Sequence, residues 1–163
     1  MPLSPEERIK RALTGAGETL ALAESCTGGL IASRITGVAG SSEYFDRGLV
    51  TYSQRAKAEL LGVSGEIFRL YGEVSEECAL AMARGLLERH GATVAASVTG
   101  IAGPGGGTPE KPVGTVWIAW GGPEGLTSEL LSLSGDRAAV QARAAGEVLL
   151  RLAVFAEKRR RKG

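Results

Sequence analysis

Three short stretches of this 163-residue chain end in side chains that could do covalent chemistry. The first, ALAESCTGG (21–29), runs from apolar alternation into Glu24-Ser25-Cys26-Thr27 and then two glycines. A hydroxyl where a strand hands over to a helix is either a helix cap or a nucleophile. The second stretch ends in Tyr52-Ser53 and the third in Thr99-Gly100. Ligands of open α/β sheets bind beyond the carboxyl ends of the strands. Three polar strand ends in one sheet therefore raise Ser25 above a plain cap. The first amides of the helix after Ser25 could hold a developing oxyanion or a phosphate.

A serine nucleophile needs a base. His90, the only histidine, falls at the predicted end of a helix beside Gly91. The helix dipole explains it there, and it is remote from the strand ends. That argues against a Ser-His-Asp triad. Lysine can replace histidine in the same logic. Lys57 follows Tyr52 on the helix leaving the second strand, and its stem could reach back into the crevice. The competing reading is a solvated surface lysine. Cys26 is either a rival nucleophile or a small buried hydrophobe.

Two further features suggest anion binding. TGIAGPGGGTPEKPVG (99–114) is glycine-rich but lacks the Gly-Lys-Ser/Thr of a P-loop. It could bring backbone amides against an anion, or it could simply be a mobile connection. Arg137 in SGDRAAV stands in the first turn of the last helix, where a cation opposes the dipole, which points to a ligand-facing role. No group of His, Cys, Asp and Glu has metal-ligand spacing, so neither a metal nor a cofactor is expected.

These residues need a frame. LSPEERIKRAL opens a helix with Ser4 as cap, Pro5 in the first turn and Glu7 completing a capping box. Residues 18–25 and 46–53 read as strands, each followed by a helix, over 28–36 and 54–62. Residues 74–91 give the clearest helix, capped by Ser75 and stopped by Gly91. Residues 92–100 are apolar on both faces, as a central strand is. Strands over 113–122 and 126–134 flank a Gly-Pro-Glu-Gly turn and form a hairpin. A last helix runs from about 136 to 158. The order αβαβααβββα implies a three-layer α/β/α sandwich on a mixed sheet.

Composition narrows the function classes. The formal net charge is +1, so no global field recruits nucleic acid or an acidic membrane. The basic run Lys158-Arg159-Arg160-Arg161-Lys162 is either a solvated helix end or a weak anion contact. The two cysteines, Cys26 and Cys78, suggest no disulfide framework. No signal peptide and no membrane-spanning run is present, and the chain reads as cytoplasmic. Glycine, at 24 residues, is about twice its usual frequency and is concentrated at junctions. One domain over 1–163 is expected.

AESCTGG, GSSEYFDRGLVTYSQRAK, GEVSEECA, VTGIAGPGGGTPEKPVGTVWIA and SGDR together resemble the nicotinamide mononucleotide amidohydrolase family, also called the CinA C-terminal domain family. The similarity runs roughly from Glu7 to Leu152. It implies hydrolysis of the carboxamide of nicotinamide mononucleotide to nicotinate mononucleotide and ammonia, as pyridine nucleotide salvage. It also implies a five-stranded mixed sheet, no metal and a homodimer. By motif, Ser25 resembles the nucleophile, with Tyr52 and Lys57 as its activating partners. Thr99 and Arg137 resemble substrate-holding residues, and the Gly100–Gly103 backbone shares their pocket. Longer family members carry an N-terminal domain linked to pyrophosphatase activity, which this chain is expected to lack. Two other readings compete: a non-catalytic nucleotide- or phosphate-binding module, and a nucleic-acid partner working through the basic tail.

Overall fold

Ser4 starts the first helix as its spacing predicts. Its side chain accepts from the Glu7 amide, and the Glu7 carboxylate takes the Ser4 amide in return. The computed structural model describes every residue from Met1 to Gly163. Its elements are α1 (Pro5–Leu13), β1 (Leu20–Glu24), α2 (Leu30–Thr36), β2 (Phe45–Val50), α3 (Gln54–Leu61), α4 (Gly65–Tyr71), α5 (Glu76–His90), β3 (Val94–Gly100), β4 (Thr115–Gly122), β5 (Gly125–Ser132) and α6 (Arg137–Lys162). All five predicted strands form, and the hairpin joins β4 to β5 across Gly122-Pro123-Glu124-Gly125.

The strands lie in the order β2-β1-β3-β4-β5. β1 pairs in parallel with β2 and β3, whereas β4 runs antiparallel to both β3 and β5. The sheet is mixed, as predicted. Alternation along β1 divides its side chains between two layers. Leu20 and Leu22 join β3 and β4 residues in a core against α1, α2 and α6. Ala21 and Ala23 face the other way, against Leu61, Cys78, Met82 and Leu86 of α3 and α5. Helices cover both faces of the sheet, giving the expected three layers.

The parallel register does the work that the site needs. Glu24 pairs with Val50 on one side and Val98 on the other. The carboxyl ends of three neighbouring strands therefore stop along one edge. Ser25, Thr51-Tyr52 and Thr99-Gly100 emerge there side by side.

The helices depart from the sequence expectation in one added element and two boundaries, and β2 ends at Val50 rather than 53. α4 is additional to the elements expected from the sequence. It is short, capped by Ser64, and only partly buries Ile67 and Phe68 against the α3–α5 core, so its apolar stripe is a single turn. α2 starts at Leu30 rather than 28, because Gly28 (φ 59°) and Gly29 (φ 102°) are left-handed. α6 continues to Lys162, through the basic run.

Candidate active site

At the shared edge of β1, β2 and β3 lies a cleft of about 450 Å³. Ser25, Tyr52, Lys57, Thr99, Gly100, Gly103 and Arg137 all line it. Every site residue singled out from the sequence is thus brought to one place, although the roles of their side chains differ in detail.

Ser25 is not a helix cap. Its amide bonds back to the Val98 carbonyl, holding it to the end of β3. Its hydroxyl lies 3.0 Å from the Lys57 amine, buried with it. The capping of α2 falls to Glu24, a residue given no role by the sequence motifs. Its fully buried carboxylate takes the Ile31 amide at 3.0 Å and the Ala32 amide at 2.9 Å. It also takes the Thr27 hydroxyl at 2.6 Å. Glu24 therefore ties β1 to α2 across the turn that presents Ser25. A carboxylate at a helix start was visible in the sequence, but the nearby hydroxyls offered the more ordinary cap.

Lys57 is not a surface lysine. It and Leu61 are the two buried residues of α3, one turn apart on the face turned to the sheet. The side chain is 1% exposed. Its amine meets the Thr51 carbonyl at 2.8 Å, the Tyr52 carbonyl at 3.3 Å and Ser25 Oγ at 3.0 Å. Burial pulls its ionisation below the ordinary 10.5, opposed by the neighbouring Cys78, Glu73 and Cys26. A neutral amine has two hydrogens and one lone pair. Two carbonyls and one hydroxyl are the partners that such a group can satisfy in full.

Cys26 also lines the cleft, but burial pushes its thiol up to about 12. Cys78 is raised to about 11 by the same cause. Both stay protonated near neutral pH, and a thiol is a poor nucleophile without its thiolate. With the thiols neutral, Glu73 is the one negative group opposing the depression at Lys57.

Tyr52 takes a different position from a proton carrier beside Ser25. Its side chain is 60% exposed, and its hydroxyl accepts from Arg137 at 3.0 Å. Only its carbonyl meets Lys57. Arg137, the first residue of α6, also donates to the Gly103 carbonyl at 2.8 Å. It clamps the tyrosine and the glycine loop together across the cleft mouth. One turn on, Gln141 donates to the Cys26 carbonyl at 3.0 Å, so α6 also steadies the Ser25 turn. Thr99 spends its hydroxyl on the Glu73 carbonyl at 2.9 Å.

The glycine-rich loop is pinned at several points. The Ile101 amide bonds to Thr115 and the Gly114 amide to Ile101. Thr108 and Lys111 close a turn within it. Gly103 is left-handed at φ 82°, and a Cβ there would come within 2.5 Å of Val113. His90 is engaged elsewhere, 2.7 Å from the Leu60 carbonyl and 2.9 Å from Arg47. No group of three or more His, Cys, Asp and Glu side chains gathers as a metal site would require. No helix is long and apolar enough to cross a membrane.

The family model for the CinA C-terminal domain matches residues 3–155. A nicotinamide-nucleotide amidohydrolase, PncC, from Enterobacter agglomerans is 56% identical over 139 residues, covering 84% of each chain. A CinA-like protein from Geotalea daltonii is 58% identical over 125 residues. That match spans 77% of this chain but 30% of the relative, so the chain spans only about a third of the length of such relatives. Among solved structures, a CinA-superfamily protein from Klebsiella pneumoniae aligns with a TM-score of 0.88 at 35% identity. The alignment covers 96% of this chain and 99% of that one. A competence/damage inducible protein from Agrobacterium tumefaciens aligns equally well, at 41% identity over 95% of this chain and 99% of its own.

Proposed function

The chain belongs to the CinA C-terminal domain family, and on that footing we propose that it hydrolyses the carboxamide of nicotinamide mononucleotide, giving nicotinate mononucleotide and ammonia. The observation that carries this reading is the buried Lys57 amine 3.0 Å from Ser25 Oγ. The similarity to the Enterobacter agglomerans amidohydrolase supports the choice of substrate.

The reaction is acyl transfer. Ser25 Oγ attacks the carboxamide carbon while its proton passes to the Lys57 lone pair. The Thr51 and Tyr52 carbonyls orient that lone pair by engaging the other two hydrogens. With the Ser25 and Gly28 amides committed to the Val98 and Ser25 carbonyls, the Cys26 and Thr27 amides of the 25–29 turn are the donors for the oxyanion of the tetrahedral intermediate. Collapse expels ammonia, which takes its proton from the Lys57 ammonium. Water then attacks the acyl-enzyme with Lys57 as base again, releasing the acid and regenerating the Ser25 hydroxyl.

In this reading Lys57 carries the proton and Tyr52 does not, because the Tyr52 hydroxyl is committed to Arg137. Arg137 keeps further N–H donors for the substrate's phosphate. Thr99 acts through the Glu73 carbonyl, and the Gly100–Gly103 backbone shapes the pocket floor. The reading includes a homodimer working in the cytoplasm, supported by the family resemblance. Ammonia release from the mononucleotide, the riboside and the dinucleotide tests it. Turnover fastest on the mononucleotide is expected. Binding without ammonia would leave a non-catalytic module instead.

A further inference from the structure

Four charged residues line the cleft: Lys57, Glu73, Lys111 and Arg137. Lys57 acts as a neutral base in the reaction above, so the standing charges are two cations and one carboxylate. The cations are anchored but not exhausted. Lys111 gives one hydrogen to the Tyr71 carbonyl at 2.7 Å, and Arg137 gives two to Gly103 and Tyr52. Glu73 is different. Its carbonyl is fixed by Thr99, yet no protein donor satisfies its half-buried carboxylate, which enters no ion pair.

We infer that Glu73 is a specificity residue that selects substrates whose reacting ring carries a positive charge. The inference rests on the substrate reading above and extends it. Glu73 lies in the turn between α4 and α5, at the same cleft as the Ser25–Lys57 pair. Its carbonyl accepts from Thr99 at the end of β3, the strand that runs beside the β1 end carrying Ser25, which places it at the reacting end of the cleft. The pyridinium nitrogen of a nicotinamide nucleotide sits in the ring that bears the carboxamide. When that carboxamide is at Ser25, the ring's charge is near Glu73. The phosphate, with a charge of about −1.5 to −2, is left to Lys111 and Arg137. The cleft's two positive and one negative charges thus mirror the ligand's two negative and one positive. In a cleft partly closed to water, such a match is worth more than between solvated ions.

The test compares two ligands that differ in ring charge alone. Nicotinamide mononucleotide has the cationic ring; benzamide riboside 5′-phosphate has a neutral ring with the same carboxamide and phosphate. Dissociation constants are measured by calorimetry in a Ser25→Ala background, with and without Glu73→Gln. The Glu73-containing protein is expected to prefer the cationic ligand about tenfold, and Glu73→Gln to bring the two within about twofold. Glu73→Asp should restore part of the preference. The ratio of kcat/KM for the two ligands in the Ser25 enzyme, with and without Glu73→Gln, gives a second readout. Any change that Glu73→Gln makes to the Lys57 ionisation acts on both ligands and cancels in that ratio. An unchanged preference, equal losses for both ligands, or no binding of either would overturn the inference. A Glu73-dependent binding preference without ammonia release would sink the catalytic reading and leave the charge selection standing.

Discussion

The cleft and the opposite, arginine-rich end of the molecule both concentrate cations, yet they use them in opposite ways. At the α1–α6 end three arginines are spent on the protein, while Lys158, Arg161 and Lys162 stay exposed to solvent. Arg8 pairs with Glu157 at 2.8 Å, and Arg159 holds Glu18 at 2.6 Å and also Glu124. Arg160 donates to the Arg11, Ala12 and Thr14 carbonyls at the end of α1. The basic tail is therefore divided. Arg159 and Arg160 tie α6 to the segment before β1, the β4–β5 turn and the end of α1. Lys158, Arg161 and Lys162 form the solvated helix end that its composition suggests. At the cleft, by contrast, a buried amine faces one hydroxyl, two cations keep spare donors, and a carboxylate has no partner. Charge density alone does not mark a site; the cleft differs in holding a buried amine against a hydroxyl, and a half-buried carboxylate without a protein donor.

The sharpest way to break this contrast is to remove the proposed nucleophile. Ser25→Ala should fold normally and lose turnover by about 10,000-fold or more. Retained activity in Ser25→Ala with loss in Cys26→Ala would move the nucleophile one residue along. Single-turnover ammonia release separates the two outcomes.

Lys57 comes next. Lys57→Arg should lose about 100- to 10,000-fold, because a guanidinium keeps its charge but does not deprotonate. In the unsubstituted protein the single-turnover rate should rise with pH through one ionisation below 10.5. Substantial turnover by Lys57→Arg would reduce Lys57 to a positive charge. The same depressed ionisation has a sign for stability. The unfolded chain holds the Lys57 proton more tightly than the folded one, so between the folded value and 10.5 stability rises with pH. Urea melts across that window should show the unsubstituted protein gaining on Lys57→Met as pH increases. A flat difference would mean that burial does not perturb the amine.

A smaller loss is expected at the cleft mouth. Arg137→Ala should weaken kcat/KM for the mononucleotide by about 10- to 150-fold, the scale of a lost charge-assisted contact. The phosphate-free riboside should be affected far less. Equal losses on both would make Arg137 a clamp for Tyr52 and Gly103 rather than a phosphate ligand.

The smallest effect belongs to the opposite end. Arg160→Ala should cost about 1 kcal/mol of folding stability, since its hydrogen bonds to α1 are at an exposed surface. Its kcat/KM should be unchanged. A drop in turnover with little change in the melting curve would erase the distinction between the two ends.

The sequence by itself determined the layered α/β frame, the five strands and the cleft's membership. Strand alternation, helix caps and the turn at Gly122–Gly125 are local signals, and they fall where the local chemistry demands. Parallel strand ends must share an edge, which gathers Ser25, Tyr52 and Thr99; Lys57 and Arg137, on helices, were joined to them by the family resemblance. What each side chain does there was decided only by the tertiary structure. Ser25 and Glu24 are neighbours that could each cap α2; the direction of the chain after Gly28 and Gly29 gives the amides to Glu24. Lys57 reads as polar and solvated in a short helix, but the face of α3 that packs on the sheet includes it, with Leu61 one turn on. Tyr52 and Arg137 are far apart in the chain, and only α6 crossing the cleft mouth couples them. Burial and partner choice arise from several elements packing at once, and no local pattern of residues encodes them.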